Sequence, residues 1–326
     1  MTATGRLALI VLACVVSAAA RQAIAESPPA KEAALVPHIE GEWWTVAHNP
    51  DLGPLSDPKQ QPVDFSVWQA ADGTWQLWSC IRNTRCGGKT RLFHRWEGAK
   101  LTDPDWRPMG VAMQADAAAG ETPGGLQAPH VIRIGDIFHM FYGDWEHICL
   151  ATGADGKTFA RRPGPDGKTG MFSEGPGNNT RDPMAIRVGD RWHCYYTAYP
   201  NKEGSVYLRT SADLKLWSES KKVAFGGAAG TNPYSAECPF VFYHKESKYY
   251  YLFRTQRYGA NAQTTVYRSA DPADFGVNDD RCRVGTLPIA APEIIEHEGR
   301  TFVAALMPGL DGIRIARLSW APRKGE

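Results

Sequence analysis

Val63-Asp64-Phe65-Ser66-Val67, Gln127-Ala128-Pro129-His130-Val131, Arg181-Asp182-Pro183-Met184-Ala185, Glu237-Cys238-Pro239-Phe240-Val241 and Ala290-Ala291-Pro292-Glu293-Ile294 open five successive units of this chain. Aligned on the proline (Phe65 in the first), they start at residues 63, 127, 181, 237 and 290. A repeat of this length means a stacked or radial architecture. After each opening the chain runs strand, tight turn, strand. Val131 to Ile134 leads through Gly135-Asp136 to Ile137 to Tyr142, and Ala185 to Val188 leads through Gly189-Asp190 to Arg191 to Tyr196. Gly-Asp between β-rich runs is a hairpin signal. Asp72-Gly73, Lys245 to Lys248 and Glu298-Gly299 hold the same place in units one, four and five.

A second signature recurs later in three units: Asp155 with Phe159, Asp213 with Trp217, and Asp271 with Phe275, an aromatic four residues after an Asp. Asp suits the turn after a third strand, and the aromatic fills the gap between neighbouring units. No long stretch has helical period. Units with about four strands each predict an all-β fold, a single five-bladed β-propeller over 41–326. The aromatic segment at Trp43 and Trp44 is expected to close the ring or cover its last blade.

The 326 residues are 43% hydrophobic and 22% charged, with net charge +1, so nothing favours nucleic acid or an anionic membrane surface as a partner. Residues 1–25 read as a signal peptide. Arg6 precedes the apolar run Leu7 to Ala20, and Ala23-Ile24-Ala25 is a small-x-small cleavage site. The run is short for a bilayer span. A secreted or periplasmic protein with no membrane insertion after cleavage is expected; lipoprotein processing at Cys14 is the alternative. Residues 26–40 read as a flexible leader. Six cysteines follow the cleavage site: Cys80, Cys86, Cys149, Cys194, Cys238 and Cys282. At most one bridge is expected, Cys80 and Cys86 being near enough in sequence to form it, and most are read as small buried hydrophobes. No Cys-x-x-Cys spacing suggests zinc. No cofactor is expected, a structural ion in the central channel staying open.

In a propeller the innermost strands begin near the axis and ring one mouth of the channel. Asp64, Asp182 and Glu237 are therefore read as equivalent points of units one, three and four, converging on one pocket. The returning second strands bring Arg82, Trp145, His147, Tyr199, Arg254, Gln256, Arg257 and Tyr258 toward the same rim. Crowded, desolvated carboxyls have raised pKa values, so one can stay protonated while another is ionised. Glycosidic hydrolysis needs that division. Arg181 is placed to keep Asp182 ionised and to bind sugar hydroxyls. Gln127 and Glu293 are further candidate substrate contacts, as is His130, which also reads as a structural residue near the axis. Arg254 and Arg257 read equally well as surface charges.

Arg181-Asp182-Pro183 and Glu237-Cys238-Pro239, after an Asp in unit one, resemble the motifs of the five-bladed propeller glycosidases of families 32, 43, 62 and 68. The resemblance covers residues 60 to 320. It implies Glu237 as general acid, Asp182 as transition-state stabiliser or pKa modulator, and Asp64 as nucleophile (fructosidase reading) or general base (family 43 reading). Gln127-Ala128-Pro129-His130-Val131 resembles the Ala-Pro segment of family 43 at blade two. Fructosidases carry Asn-Asp-Pro-Asn-Gly at the first acid, where this chain has Val63-Asp64-Phe65-Ser66-Val67, and family 32 usually adds a β-sandwich after the propeller. The departures favour a family 43-like hydrolase of oligo- or polysaccharide, exo-acting, on a furanoside or modified plant or algal sugar. The rival is a carbohydrate-binding propeller without catalysis.

Overall fold

A computed structural model describes Met1 and residues 34–323. The segment read as a signal peptide, apart from Met1, and the leader up to residue 33 lie outside the described residues. Five sheets make five blades, the first four each from consecutive strands. Blade one is Gln61–Gln69, Trp75–Arg82, Leu92–Gly98 and Arg107–Met113. Blade two is Gln127–Ile134, Ile137–Gly143 and Ile148–Gly153, the last pairing with both Ala160–Arg161 and Gly170–Phe172. Blade three is Arg181–Val188, Arg191–Ala198, Ser205–Ser211 and Lys221–Ala224; blade four is Glu237–His244, Tyr249–Arg257, Gln263–Ser269 and Arg283–Leu287. Blade five takes Glu293–His297, Arg300–Leu306 and Gly312–Pro322 from the end of the chain and Leu35–His48 from its beginning. That antiparallel pairing joins the two ends of the domain and closes the ring. Residues 35–40, read from the sequence as leader, thus belong to the closing strand. No helix among the described residues is long and apolar enough to cross a membrane.

The local signals act as their chemistry requires. Ile134 pairs with Ile137 and Val188 with Arg191 across Gly135-Asp136 and Gly189-Asp190, with Gly135 at φ 60° and Gly189 at φ 57°. Positive φ is what a two-residue hairpin demands. The Asp side chains of the second signature cap their turns: Asp155 Oδ1 accepts from Lys157 and Thr158 N–H, and Asp213 Oδ1 from Lys215 and Leu216 N–H. The aromatics then reach the preceding blade. Phe159 packs on Trp68 and Trp78, Trp217 on Phe141 and Phe172, and Phe275 on Tyr195.

All six cysteines past residue 33 are free; Cys80 and Cys86 are not bridged. Cys80 Sγ donates to the Leu126 carbonyl and Cys86 Sγ to that of Arg91. Arg254, a sequence candidate for the rim, is 1% exposed. Its guanidinium donates to the carbonyls of Ser235, Gly226 and Gly230. It ties down the 226–235 loop instead of meeting a ligand.

Each blade opening breaks its strand in the same way. Asp64, Ala128, Asp182, Cys238 and Ala291 all have positive φ, between 36° and 55°. In the first four blades the ladder register shifts at this point. A left-handed non-glycine residue costs roughly 1–2 kcal/mol. The break re-aims the side chain, as bulges do. The proline that follows in four blades lacks an N–H, which an inner edge strand can spare. All five residues line one narrow channel of about 20 Å³. The equivalent residues of the ring are therefore Asp64, Asp182 and Cys238. Glu237 stands one residue ahead, in register with Arg181 and Gln127, and is not at the equivalent point the sequence suggested.

Candidate active site

The floor of the site is this ring. One donor atom each of Asp64, Asp182 and Cys238 lie within 4.8 Å of one another. Asp182 is 3% exposed. Its Oδ2 accepts the Cys238 N–H at 2.9 Å, and its Oδ1 is buried with no partner among the described residues. Burial, then the carboxylates of Asp64 and Glu237, push its pKa up to about 8, against the opposing pull of Arg181 and the Cys238 N–H. Asp182 thus holds a proton at neutral pH. Asp64 Oδ1 accepts from Tyr258 Oη at 3.2 Å and from Cys238 Sγ at 3.2 Å, while Arg91 Nη1 faces its Oδ2 at 3.9 Å. Burial, then Asp182, pushes the Cys238 thiol well above its ordinary value, so it donates as a neutral group.

Above the floor opens a pocket of about 300 Å³ whose wall includes Asp64, Glu237, Arg82, Arg91, Trp145 and Tyr199. Glu237 and Asp64 both face it, whereas Asp182 lies in the neck beneath. Arg181 is buried beside them. Its Nε and Nη2 both donate to Glu237 Oε1, the former at 3.0 Å, and Nη1 donates to the Asn179 carbonyl. The guanidinium stacks over Tyr199, 5.2 Å from the ring centre. Burial opposes its charge, but the carboxylates of Glu237 and Asp182 outweigh that and push its pKa up. Arg181 lines the pocket and lies 3.7 Å from Asp182, but its fork grips Glu237, and its pull does not keep the Asp182 pKa from rising. The cause is register. Adjacent residues in a strand point to opposite faces, so Arg181 shares its direction with Glu237 of the next blade.

The remaining candidates divide. Gln127, Trp145 and Tyr199 line the pocket, as do Arg82 and Tyr258. His130 does not. It is buried, its ring nitrogen Nε2 lies 3.2 Å from the Ala185 carbonyl, and burial pushes its pKa down to about 4. Glu293 lines the channel below the floor, with Ser66 Oγ donating to it at 3.5 Å, and burial holds its carboxyl well above the usual range. Arg257 is exposed at the end of its strand, outside the pocket wall. His147 pairs with Asp144 instead, and Gln256 accepts from Thr265. Residues missed from the sequence are Arg91, Tyr234, Asn179 and the ring thiol Cys238. Cys238 was legible in the proline alignment; the other three come from loops that carry no repeat signal.

Tyr258 donates its phenol to Asp64. Tyr258→Phe is expected to lower kcat/KM on a hydrolysed substrate about tenfold, the value of one hydrogen bond to a charged group. An unchanged thermal midpoint beside that loss separates it from unfolding.

No family model matches the chain, and no curated protein does. Solved structures do. A thermostable family-43 glycoside hydrolase is 16% identical with a TM-score of 0.58, over 86% of this chain and 98% of that one. The family 32 β-fructofuranosidase of Bombyx mori is 19% identical at TM-score 0.59, over 85% of this chain and 62% of its own. An exo-1,5-α-L-arabinanase from a bovine ruminal metagenomic library is 18% identical at TM-score 0.57, over 78% and 92%. The five-bladed propeller of this chain is thus a fold shared with glycoside hydrolases of families 43 and 32.

Proposed function

We propose that the protein is a glycoside hydrolase acting on an oligo- or polysaccharide. The observation that carries this is the cluster itself: two carboxyls with oxygens within 4.8 Å at the floor, one of them buried with its pKa pushed up, and a third on the wall above. Glu237 faces the pocket and is the proton donor to the leaving oxygen. Asp64, facing Arg91 and steadied by Tyr258 and Cys238, is the nucleophile or the base for water. Asp182 keeps its proton and moderates the charge between them. Only about 300 Å³ lies above the floor, the low end of ligand pockets, which favours an enclosed chain end and exo action. A furanoside or modified plant or algal sugar fits the family 43-like motifs. The amino-terminal apolar segment supports export to the periplasm or medium.

A non-catalytic carbohydrate-binding propeller is the second reading. What favours it is the Arg181 fork on Glu237, since an acid catalyst must leave that pairing to carry a proton. Incubation with a panel of plant and algal oligosaccharides, followed by product chromatography, decides between them. Release of monosaccharide from chain ends is expected; binding to several members with no product from any would establish the second reading.

A further inference from the structure

The pocket wall carries more positive charge than its acids require. Arg181 is matched by Glu237 and Arg91 faces Asp64. Arg82, the last residue of its strand, has no carboxylate. Its Nε and Nη2 both donate to the neutral Gln61 Oε1, at 3.0 and 2.7 Å, and its Nη1 has no hydrogen-bond partner among the described residues. At the rim a second cation waits: Lys89 is exposed, with Nζ 4.8 Å from the ring centre of Trp145. Arg91 lies 5.1 Å from the same ring. Three arginines against two carboxylates line the pocket, with Asp182 protonated beneath it and Lys89 beside it.

This arrangement is built, not incidental to a mobile surface. The loop that presents Lys89 and Arg91 is pinned to the segment before blade two. Lys89 N–H donates to the Pro123 carbonyl at 2.9 Å and Arg91 N–H to that of Gly124 at 2.8 Å. The two backbones approach so closely that a Cβ on Gly88 would sit 1.9 Å from Pro123 O, and one on Gly124 2.2 Å from Gly87 O. Trp145 is held at φ 85°, a strained conformation for a large side chain. Asp144 Oδ1 fixes that turn by accepting from the N–H groups of Glu146 and His147.

We propose that the sugar bound here carries an oxyanion, a carboxylate or a sulfate, received by Arg82, Arg91 and Lys89 around the Trp145 platform. The inference rests on the glycosidase reading for its sugar, but not for its anion. Guanidinium matches planar oxyanions through paired N–H groups, and Arg82 keeps donor capacity to spare. Arg91 shares its charge between Asp64 and the ligand. Lys89 acts from the rim, where it draws an anion in.

Two measurements test this. The first uses inorganic sulfate as probe, titrated into 15N-labelled protein while the Trp145 indole signal (identified with Trp145→Phe) is followed. Saturable movement is expected, with affinity about tenfold weaker in Arg82→Gln and a few-fold weaker in Lys89→Gln. Lys89 is exposed, so its variant folds whatever Arg82→Gln does. A Trp145 signal that sulfate leaves unmoved, or equal affinity in all three proteins, overturns the proposal. The second measures hydrolysis of matched pairs: uronate oligosaccharides with their carboxyl-reduced forms, and sulfated oligosaccharides with their desulfated forms. Preference for the acidic member, lost in Arg82→Gln, supports the proposal, and the pair that shows it tells carboxylate from sulfate. Preference for neutral members overturns it while upholding the glycosidase. Sulfate bound at Trp145 with no member hydrolysed upholds the anion site and counts against the glycosidase.

Discussion

Glu237→Gln is expected to lower turnover by about 10²–10⁴-fold, the usual worth of a positioned general acid, while sugar affinity stays within a few-fold. Gln keeps an oxygen for the Arg181 fork, so the wall of the pocket is preserved. What it loses is the proton for the departing oxygen. The loss should therefore depend on the leaving group. An aryl glycoside whose phenol leaves without protonation should be cleaved by the variant at close to the parent rate; a natural linkage should not. Steady-state rates on the two substrate types check this. Full turnover by the variant on the natural linkage would remove Glu237 from the acid role and leave Asp182 as the carboxyl that holds a proton.

Asp182→Asn is expected to stabilise the fold at alkaline pH. The buried carboxyl has its pKa raised from 3.8 to about 8. The unfolded chain releases that proton near pH 4; the folded chain holds it until pH about 8. Between those values the unfolded state binds fewer protons, so rising pH costs the fold stability. The penalty is absent below pH 4, grows up to about pH 8 and is constant above. Asn has the same shape, still accepts the Cys238 N–H and never ionises, so it escapes the penalty. Thermal midpoints should coincide at pH 4 and separate at pH 8, with the variant higher by several degrees, on the order of 1–3 kcal/mol. A lower midpoint for the variant at pH 8 would mean that the Asp182 charge helps the fold. The same proton is expected to set activity in the parent protein: kcat/KM should fall as pH rises through about 8, when Asp182 takes on a negative charge. A residue that serves function at a cost in stability is a common feature of active sites.

How far the site could be read from residues alone is shown by the ring. Asp64, Asp182 and Cys238 share one offset from the proline (Phe65 in the first blade), and all three meet at the channel. Glu237 was assigned to that same ring because its motif begins with an acid, but it stands one residue earlier and faces the upper pocket. In a strand one residue is the difference between opposite faces. The φ change at Cys238 further turns the chain there, and no letter of the sequence announces it. Arg254 shows the complementary difficulty. An arginine near a strand end reads as a rim group, yet three carbonyls of the 226–235 loop surround it. Those acceptors are backbone atoms of residues 19 to 28 positions away, invisible to composition or motif.

The sequence by itself determined the number of blades, their hairpins, and the aromatic wedges that lock blades two, three and four each to the one before. These features are legible because they are local: a period-2 pattern, a turn that demands positive φ, an Asp that caps the amides two and three residues on. The closure of blade five was legible in part: the aromatic segment at Trp43 and Trp44 reads as closing the ring or covering its last blade, but residues 35–40 of the closing strand read as leader. Tertiary structure alone decided that Arg181 grips Glu237, that Asp182 is sealed under the floor with its proton, and that Arg82 is left without a carboxylate. Each depends on which way a side chain leaves a left-handed break at the channel, and on what the neighbouring blade places opposite it. Pairing across blades joins residues more than fifty positions apart, and its outcome is set by angle and distance, which a sequence does not carry.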